Sequence, residues 1–324
     1  MKDSRCKRAT LVLGKPGDKQ LAILRELSPE TDIVVGDNVS QFEAAGPKAS
    51  VILNWSGASS LLREVFLICP NLRWVHSRSA GLERSLFAEL IESSVLLTNG
   101  RGVFSASLGE FVLGAILFFA KDFRRMIRNQ EDEVWEQFDT LSVCGQTVGI
   151  VGYGDIGHAI AARVRTLGIK VIAIKRRMRH QDPFADKVLS PDHLLEMLSL
   201  SDYVVVSAPL TEETRGLIDE RAFAVMKRTA VIINVGRGPI IDESAMIKAL
   251  TKGRIKGAAL DVYDQEPLPT GHSFYKLKNV LLSPHCADHT PEWLDDAMKF
   301  FVSQFQHYTL GEALSNIVNK TLGY

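Results

Sequence analysis

Residues 147–177 read TVGIVGYGDIGHAIAARVRTLGIKVIAIKRR, and the organisation of the chain follows from them. Residues 147–151 are a short apolar, β-branched run, suited to a strand buried on both faces. The run enters Gly152-Tyr153-Gly154-Asp155-Ile156-Gly157, after which Ile160, Ala161, Val164 and Leu167 recur at helical spacing. Gly168 follows the helical run, and residues 171–174 form a second apolar run. Strand, glycine turn, helix and strand within about 30 residues turn a bare GxGxxG into a dinucleotide fingerprint. Gly152 permits the tight turn, Gly154 lets the backbone approach a pyrophosphate, and Gly157 lets the helix pack closely on its strand. Tyr153, Gly154, Asp155 and Ile156, at the turn and the helix N-terminus, then lie beside the phosphates.

The end of the second strand carries the finer information. A site for NAD usually has an Asp or Glu there, accepting hydrogen bonds from the adenosine ribose. Here the strand runs into Lys175-Arg176-Arg177, and the next carboxylate is Asp182. A carboxylate would repel a 2′-phosphate, whereas a Lys/Arg cluster binds one through charge-assisted hydrogen bonds. The expectation is a preference for NADP(H), with NAD as the alternative. Set against it is a solvated basic loop, the usual meaning of a charge run.

The whole-chain totals narrow the class. A length of 324 residues allows two domains and more than one core. Lys and Arg number 38 against 38 Asp and Glu, so no global field draws the chain to nucleic acid or an anionic membrane. Hydrophobic residues make up 46% but fall in short runs, none near the length of a membrane span. Cys6, Cys69, Cys144 and Cys286 have no CxxC or metal-ligand spacing, so reduced thiols in a reducing compartment are the default. The opening MKDSRCKRATLVLG lacks the apolar core of a secretory signal. A cytoplasmic, metal-independent enzyme fits these totals.

Before the fingerprint, residues 9–98 alternate short apolar runs with helical patterns. Strands are predicted at 10–13, 32–35, 51–54, 73–76 and 95–97, with helical periodicity at 20–27 and 61–68. Two loops follow predicted strands: Asn54-Trp55-Ser56-Gly57 and Ser77-Arg78-Ser79-Ala80-Gly81. Ligands of open α/β sheets bind outside the carboxyl ends of strands, which makes both loops candidate carboxylate cradles. Residues 105–126 then read as one long apolar helix, with Ser107 and Glu110 as a capping box. Residues 127–146 are polar apart from Trp135 and Phe138, and such a Trp either packs locally or is buried against a second subunit.

After the fingerprint, strands are predicted at 203–207, 230–235, 257–261 and 279–283, and helices at 191–200, 220–226, 244–251 and 291–308. The result is an α/β protein with two doubly wound domains. A Rossmann domain (105–289) is inserted in a flavodoxin-like substrate domain made of 1–104 and the returning 290–324.

Three polar residues stand where strands of the second sheet end: Arg237 after AVIINV, Glu266 after GAALDV, and His285 after NVLLS. Hydride transfer to a 2-oxo acid needs a proton donor for the carbonyl oxygen and a cation for the carboxylate. His285 suits the first role and the planar fork of Arg237 the second. Glu266 would hold the other imidazole nitrogen, fixing the ring and favouring its charged form. Singly, each residue has a bland reading as a surface or turn residue; together on successive strand ends they do not.

The motifs VGYGDIG, SAPLTEETRGLI, NVGRGPIIDE, ALDVYDQEPLP and SPHCADHT resemble, in order and spacing, the consecutive signatures of the D-isomer-specific 2-hydroxyacid dehydrogenases. That resemblance covers residues 99–290. It implies an NAD(P)-dependent enzyme of small 2-oxo or 2-hydroxy acids, working at a cleft between two similar domains. It assigns catalysis to Arg237, Glu266 and His285, and sets Asp261 on the nicotinamide carboxamide. Pro209 and Thr214 fall on the cofactor-facing loop, and Val235 and Gly236 on the cofactor side of the fourth strand. Ser56, Gly57, Ser79, Ala80 and Gly81, with Arg237 and His285, fall around the substrate. The segment around Trp135 is similar to the family's dimerisation arm, implying a homodimer.

Two positions depart from the pattern. Lys175 replaces the ribose-binding acid, as in the NADP-using glyoxylate/hydroxypyruvate reductases, and Asp288 stands where the family has a small residue. The expected reaction is NADPH-dependent reduction of glyoxylate or hydroxypyruvate. The alternatives are an NAD-linked dehydrogenase of a bulkier acid, with Trp55, Phe104 and Trp293 around it, or a nucleotide-sensing protein like the family's corepressors.

Overall fold

The computed structural model describes residues 9–27, 31–83, 85–176 and 182–323. The first part of the chain forms β1 (Ala9–Leu13), β2 (Asp32–Gly36), β3 (Ala49–Asn54), α1 (Ser59–Leu67), β4 (Trp74–Ser77), α2 (Ala88–Glu92) and β5 (Leu96–Asn99). There follow α3 (Ser105–Ala120), α4 (Phe123–Glu131), β6 (Thr147–Val151), α5 (Asp155–Arg165), β7 (Lys170–Ile174) and β8 (Lys187–Leu189). The chain continues through α6 (Leu194–Leu200), β9 (Tyr203–Val206), α7 (Glu220–Val225), β10 (Val231–Asn234) and α8 (Glu243–Thr251). It closes with β11 (Gly257–Leu260), β12 (Val280–Leu282) and α9 (Trp293–Leu310). Two compact units result, Met1–Phe104 with Thr290–Tyr324, and Ser105–His289.

In the first unit the sheet order is β2-β1-β3-β4-β5, all parallel, the flavodoxin-like arrangement. Every residue of β1 and β3 is buried, which is why both read as unbroken apolar runs rather than alternating ones. Trp74 of β4 is fully buried and stacks on Phe301 of α9, ring centroids 5.5 Å apart. The tail then returns to β5, where Val318 N–H donates to Leu97 O at 2.9 Å and Thr98 bridges Ile317.

In the second unit the order is β12-β11-β10-β9-β6-β7-β8, again all parallel. The order turns back on itself between β6 and β9, and such a switch point opens a ligand crevice at the carboxyl ends of the strands. Gly152 lies there at φ +93°, and a Cβ on it would stand 2.4 Å from Ala208 Cα. Only glycine fits. Among the described residues, no helix is long and apolar enough to cross a membrane.

The structure corrects several local expectations. The single helix at 105–126 is two, because Asp122 takes a left-handed conformation (φ 51°) and the chain returns at Leu141, whose N–H takes the Ala120 carbonyl. Ser107 lies inside α3 rather than capping it: its hydroxyl donates to Ala287 O at 2.9 Å, and Glu110 pairs with Arg163. The helix expected at 20–27 is a 3-10 helix, Lys19–Glu26. The helix expected at 191–200 is a 3-10 turn followed by α6. β8 and α2 had no counterpart in the periodicity, being three and five residues long.

Candidate active site

β10, β11 and β12 are neighbours, with Asn234 paired to Leu260 and Leu260 to Leu282. The loops that leave their carboxyl ends carry Arg237, Glu266 and His285. His285 Nδ1 lies 2.7 Å from Glu266 Oε2, and the other carboxylate oxygen accepts the Tyr263 N–H at 3.0 Å. A carboxylate can only accept, so Nδ1 is the protonated ring nitrogen and Nε2 is the one left to exchange a proton. Arg237 sits in a turn shaped by the buried Asn234. The Asn234 amide donates to Arg237 O at 3.0 Å and its carbonyl accepts the Gly236 N–H at 3.0 Å. Arg237 Nη1 donates to Gly236 O at 2.7 Å, which uses one of the five guanidinium N–H groups.

His285 itself takes a left-handed conformation, φ 54°, which costs a non-glycine residue roughly 1–2 kcal/mol. What holds it is Asp261. This carboxylate is 1% exposed, so it must be satisfied internally. Its Oδ1 accepts Ser283 Oγ at 2.5 Å, Cys286 N at 2.9 Å and Ala287 N at 3.1 Å. Tyr263 adds a further tie, its buried hydroxyl lying 2.9 Å from Leu260 O and 2.8 Å from Ser283 O. Sequence reading placed Asp261 on the cofactor but missed its grip on the turn that carries His285. Nothing in the motif announces which backbone N–H groups a buried carboxylate will find.

Asp288, the departure in SPHCADHT, lies three residues past the histidine. Burial pushes its carboxyl up and Asp261 adds to that, against the opposing pull of His289 and His285.

At the fingerprint, Gly154 is the N-cap of α5, and no heavy atom lies within 4 Å of the place a Cβ would take there. Open space against a helix N-terminus is what a pyrophosphate requires, so the residues present fit a dinucleotide. Asp155 and Ile156 begin the helix, and Tyr153 is buried beneath the turn. Ser207 Oγ donates to Gly152 O at 2.8 Å, joining β9 to the turn. Thr214 folds the loop after β9 by donating to Pro209 O at 2.7 Å and accepting Thr211 N–H at 2.8 Å. Val235 and Gly236 are buried at the end of β10. Lys175 and Arg176 leave β7, the latter paired with Glu213. Arg177 lies outside the described residues.

In the first unit, Ser56-Gly57 follows β3 and Ser79-Ala80-Gly81 follows β4, two adjacent strands whose register pairs Asn54 with Ser77. Asn99 Nδ2 donates to Ala80 O at 2.6 Å and Ser56 N–H donates to Leu13 O at 2.7 Å, so both loops are locally held. The guanidinium of Arg78 lies 5.0 Å from the Trp55 ring and 5.4 Å from the Trp293 ring, and Phe104 meets Trp293 edge-on at 6.1 Å. Those three aromatic residues, which the sequence left unplaced, gather in one unit. Among the described residues no group of three or more His, Cys, Asp or Glu is arranged to hold a metal.

A doubly wound sheet with a glycine fingerprint at its switch point, and a His–Glu pair beyond neighbouring strands, defines a dinucleotide-dependent oxidoreductase. Residues 113–287 match the model of the D-isomer specific 2-hydroxyacid dehydrogenase, NAD binding domain, and the chain belongs to that family. It is 34% identical to the glyoxylate reductase of Thermofilum pendens over 263 residues, 79% of this chain and 78% of that one. It is 31% identical to a glyoxylate/hydroxypyruvate reductase of Arabidopsis thaliana over 301 residues, 92% of each. Among solved structures it is similar to an NADPH-dependent glyoxylate/hydroxypyruvate reductase of Sinorhizobium meliloti in complex with NADP and sulfate. That likeness has a TM-score of 0.84 at 25% identity and covers 98% of this chain and 100% of the other. A D-isomer specific 2-hydroxyacid dehydrogenase of Xanthobacter autotrophicus in complex with NADPH and MES gives 0.82 at 28%, with 98% and 100% covered.

Proposed function

We propose that the protein reduces a small 2-oxo acid, of the glyoxylate or hydroxypyruvate type, to the D-2-hydroxy acid with NADPH. The observation that carries this reading is the 2.7 Å contact between His285 Nδ1 and Glu266 at the carboxyl edge of the nucleotide-binding sheet. The cofactor, when bound, supplies the hydride. His285 delivers the proton to the carbonyl oxygen from Nε2, while Glu266 holds the imidazolium in place. Arg237 offers paired N–H donors to the substrate carboxylate and polarises the carbonyl. Asp261 serves the nicotinamide carboxamide with the oxygen its clamp leaves over. Tyr153, Gly154, Asp155 and Ile156 serve the pyrophosphate, and Pro209, Thr214, Val235 and Gly236 border the nicotinamide half. Ser56, Gly57, Ser79, Ala80 and Gly81 contribute backbone N–H groups to the substrate carboxylate.

The preference for NADPH rests on Lys175 and Arg176 at the end of β7, where a ribose-binding acid is missing. The same reading makes the protein a homodimer of the cytoplasm. Trp135 is 95% exposed and Val134 beside it 50%, so the indole has no local packing. α4 buries none of its residues, leaving Phe123, Met126 and Ile127 outward. Large apolar side chains exposed together along a polar arm are covered by a second copy.

The test is oxidation of NADPH and of NADH against a panel of 2-oxo acids, with His285→Ala beside the wild type. Turnover of glyoxylate or hydroxypyruvate, lower KM for NADPH, and loss of turnover in the variant are expected. A lower KM for NADH defeats the cofactor preference. Turnover only of bulky acids favours the NAD-linked alternative, and cofactor binding that drives assembly without turnover favours a nucleotide sensor.

A further inference from the structure

A second set of polar side chains converges on the fingerprint turn. Tyr153 donates its hydroxyl to Asp182 Oδ1 at 2.8 Å, and Phe184 N–H donates to the same oxygen at 2.9 Å. His158, one turn into α5, reaches Oδ2 through Nε2 at 3.2 Å and stacks on the Tyr153 ring, centroids 4.3 Å apart. Lys175 places its ammonium 5.6 Å from the centroid of that same ring.

Asp182 is the first carboxylate after β7, the residue nearest in sequence to the missing ribose acid. Its oxygens are committed to donors of this chain instead. Its side chain is only 12% exposed. Burial pushes the carboxyl up, but the Phe184 N–H, the Tyr153 hydroxyl, His158 and Lys175 outweigh it and hold the group below the usual carboxylate range. The carboxylate is therefore an ionised anchor. In sequence, Lys175 opens the basic segment and Asp182 follows it. Tyr153 faces both, bonding Asp182 through its hydroxyl and lying with its ring 5.6 Å from the Lys175 ammonium.

We propose that Asp182 is a positioning residue for cofactor choice: by fastening the chain to Tyr153 on the fingerprint turn, it keeps the Lys175 ammonium at that turn for a 2′-phosphate. The proposal rests on the NADPH reading above. Holding Asp182 against Tyr153 before the cofactor arrives lowers the entropy cost of ordering Lys175 around the phosphate. NADH has no 2′-phosphate for Lys175 to meet, so the anchor matters little to it.

The experiment compares kcat/KM for NADPH with that for NADH in wild type, Asp182→Ala and Asp182→Asn. Asp182→Ala removes the acceptors, and the NADPH/NADH ratio is expected to fall about five- to tenfold, the scale of one ordinary hydrogen bond lost. The fall lies in KM for NADPH, with kcat unchanged. Asp182→Asn keeps an oxygen for Tyr153 and Phe184 and holds the ratio at or above the wild-type value. Hydrogen exchange at the Phe184 amide, faster in the Ala variant only, reports the anchor without any cofactor. A ratio that rises in both variants shows a repelling charge rather than an anchor and overturns the proposal. An unchanged ratio in Asp182→Ala, or an equal loss with both cofactors, also overturns it. Should that variant not fold, Tyr153→Phe breaks the same bond from the ring side and is read by the same ratio. A wild type that favours NADH defeats the cofactor reading alone, since the anchor is judged by the change in ratio.

Discussion

His76 sets a pH limit on the first unit. The Trp74 indole N–H donates to Thr98 Oγ1 at 2.8 Å, and the Thr98 hydroxyl then has one proton to give, to His76 Nδ1 at 2.8 Å. The ring therefore accepts at Nδ1 and carries its hydrogen on Nε2, which is buried without a partner among the described residues. Trp74, Phe300 and Phe301 surround it, centroids 6.0, 5.8 and 5.5 Å away. Burial pulls its pKa down to about 3. In the unfolded chain the imidazole takes a proton near its ordinary value of about 6.5. The folded pKa is the lower one, so this stabilisation is complete above pH 6.5 and is lost as pH falls toward 3. Between pH 7.5 and pH 5.0 the loss is about 2 kcal/mol, a figure set by the unfolded value because the folded one lies far below pH 5. His76→Leu removes the titrating group. Its constant offset takes either sign, since an orphan N–H goes but Thr98 loses an acceptor. Urea unfolding followed by tryptophan fluorescence at the two pH values is the assay. Trp55, Trp74 and Trp293, three of the four tryptophans, report this unit. The wild type should lose about 2 kcal/mol more than the variant over this range. Parallel losses would refute a neutral, buried His76.

Three further outcomes are expected. His285→Gln lowers kcat by roughly 10²–10⁴, with Glu266→Gln losing less, while NADPH fluorescence titration still shows binding. Asp288→Asn raises the melting temperature at pH 7. Its folded pKa is raised, so the ionised form costs stability above the unfolded value near 3.9, and a gain that persists below pH 4 counts against this account. Trp135→Glu converts a dimer to a monomer in light scattering, and an unaltered mass sinks the assignment of α4 and the following arm to an interface.

The features legible in the sequence are those that repeat along it. β6 occupies the apolar run at 147–151 and α5 follows the fingerprint, ending at Arg165, two residues short of Leu167, because a strand buried on both faces and a helix with one apolar stripe write themselves as runs and spacings. The break between α3 and α4 left no such trace. Residues 105–126 are apolar enough for one helix, and the stop is imposed from Leu141, some twenty residues later, whose N–H takes a carbonyl the helix would have used. β8 is three residues held at the edge by pairing to β7, with nothing periodic to see.

The carboxylates divide in the same way. Glu266 was legible because its partner His285 sits on the next strand end, and parallel neighbours in a doubly wound sheet bring their exits together. Asp261 follows β11 and Asp182 lies between β7 and β8, yet their partners are backbone N–H groups, a serine hydroxyl, an imidazole and a phenol that no strand pairing brings together. Spacing carries no record of those partners. The consequence is a division of labour within one sheet edge. Residues that face the substrate and cofactor are set by strand order, while the residues that hold them, Asp261 for His285 and Asp182 for Lys175, are set by loop closure. Substitutions of the first kind should therefore change what is catalysed, and substitutions of the second kind how well the same groups are aimed.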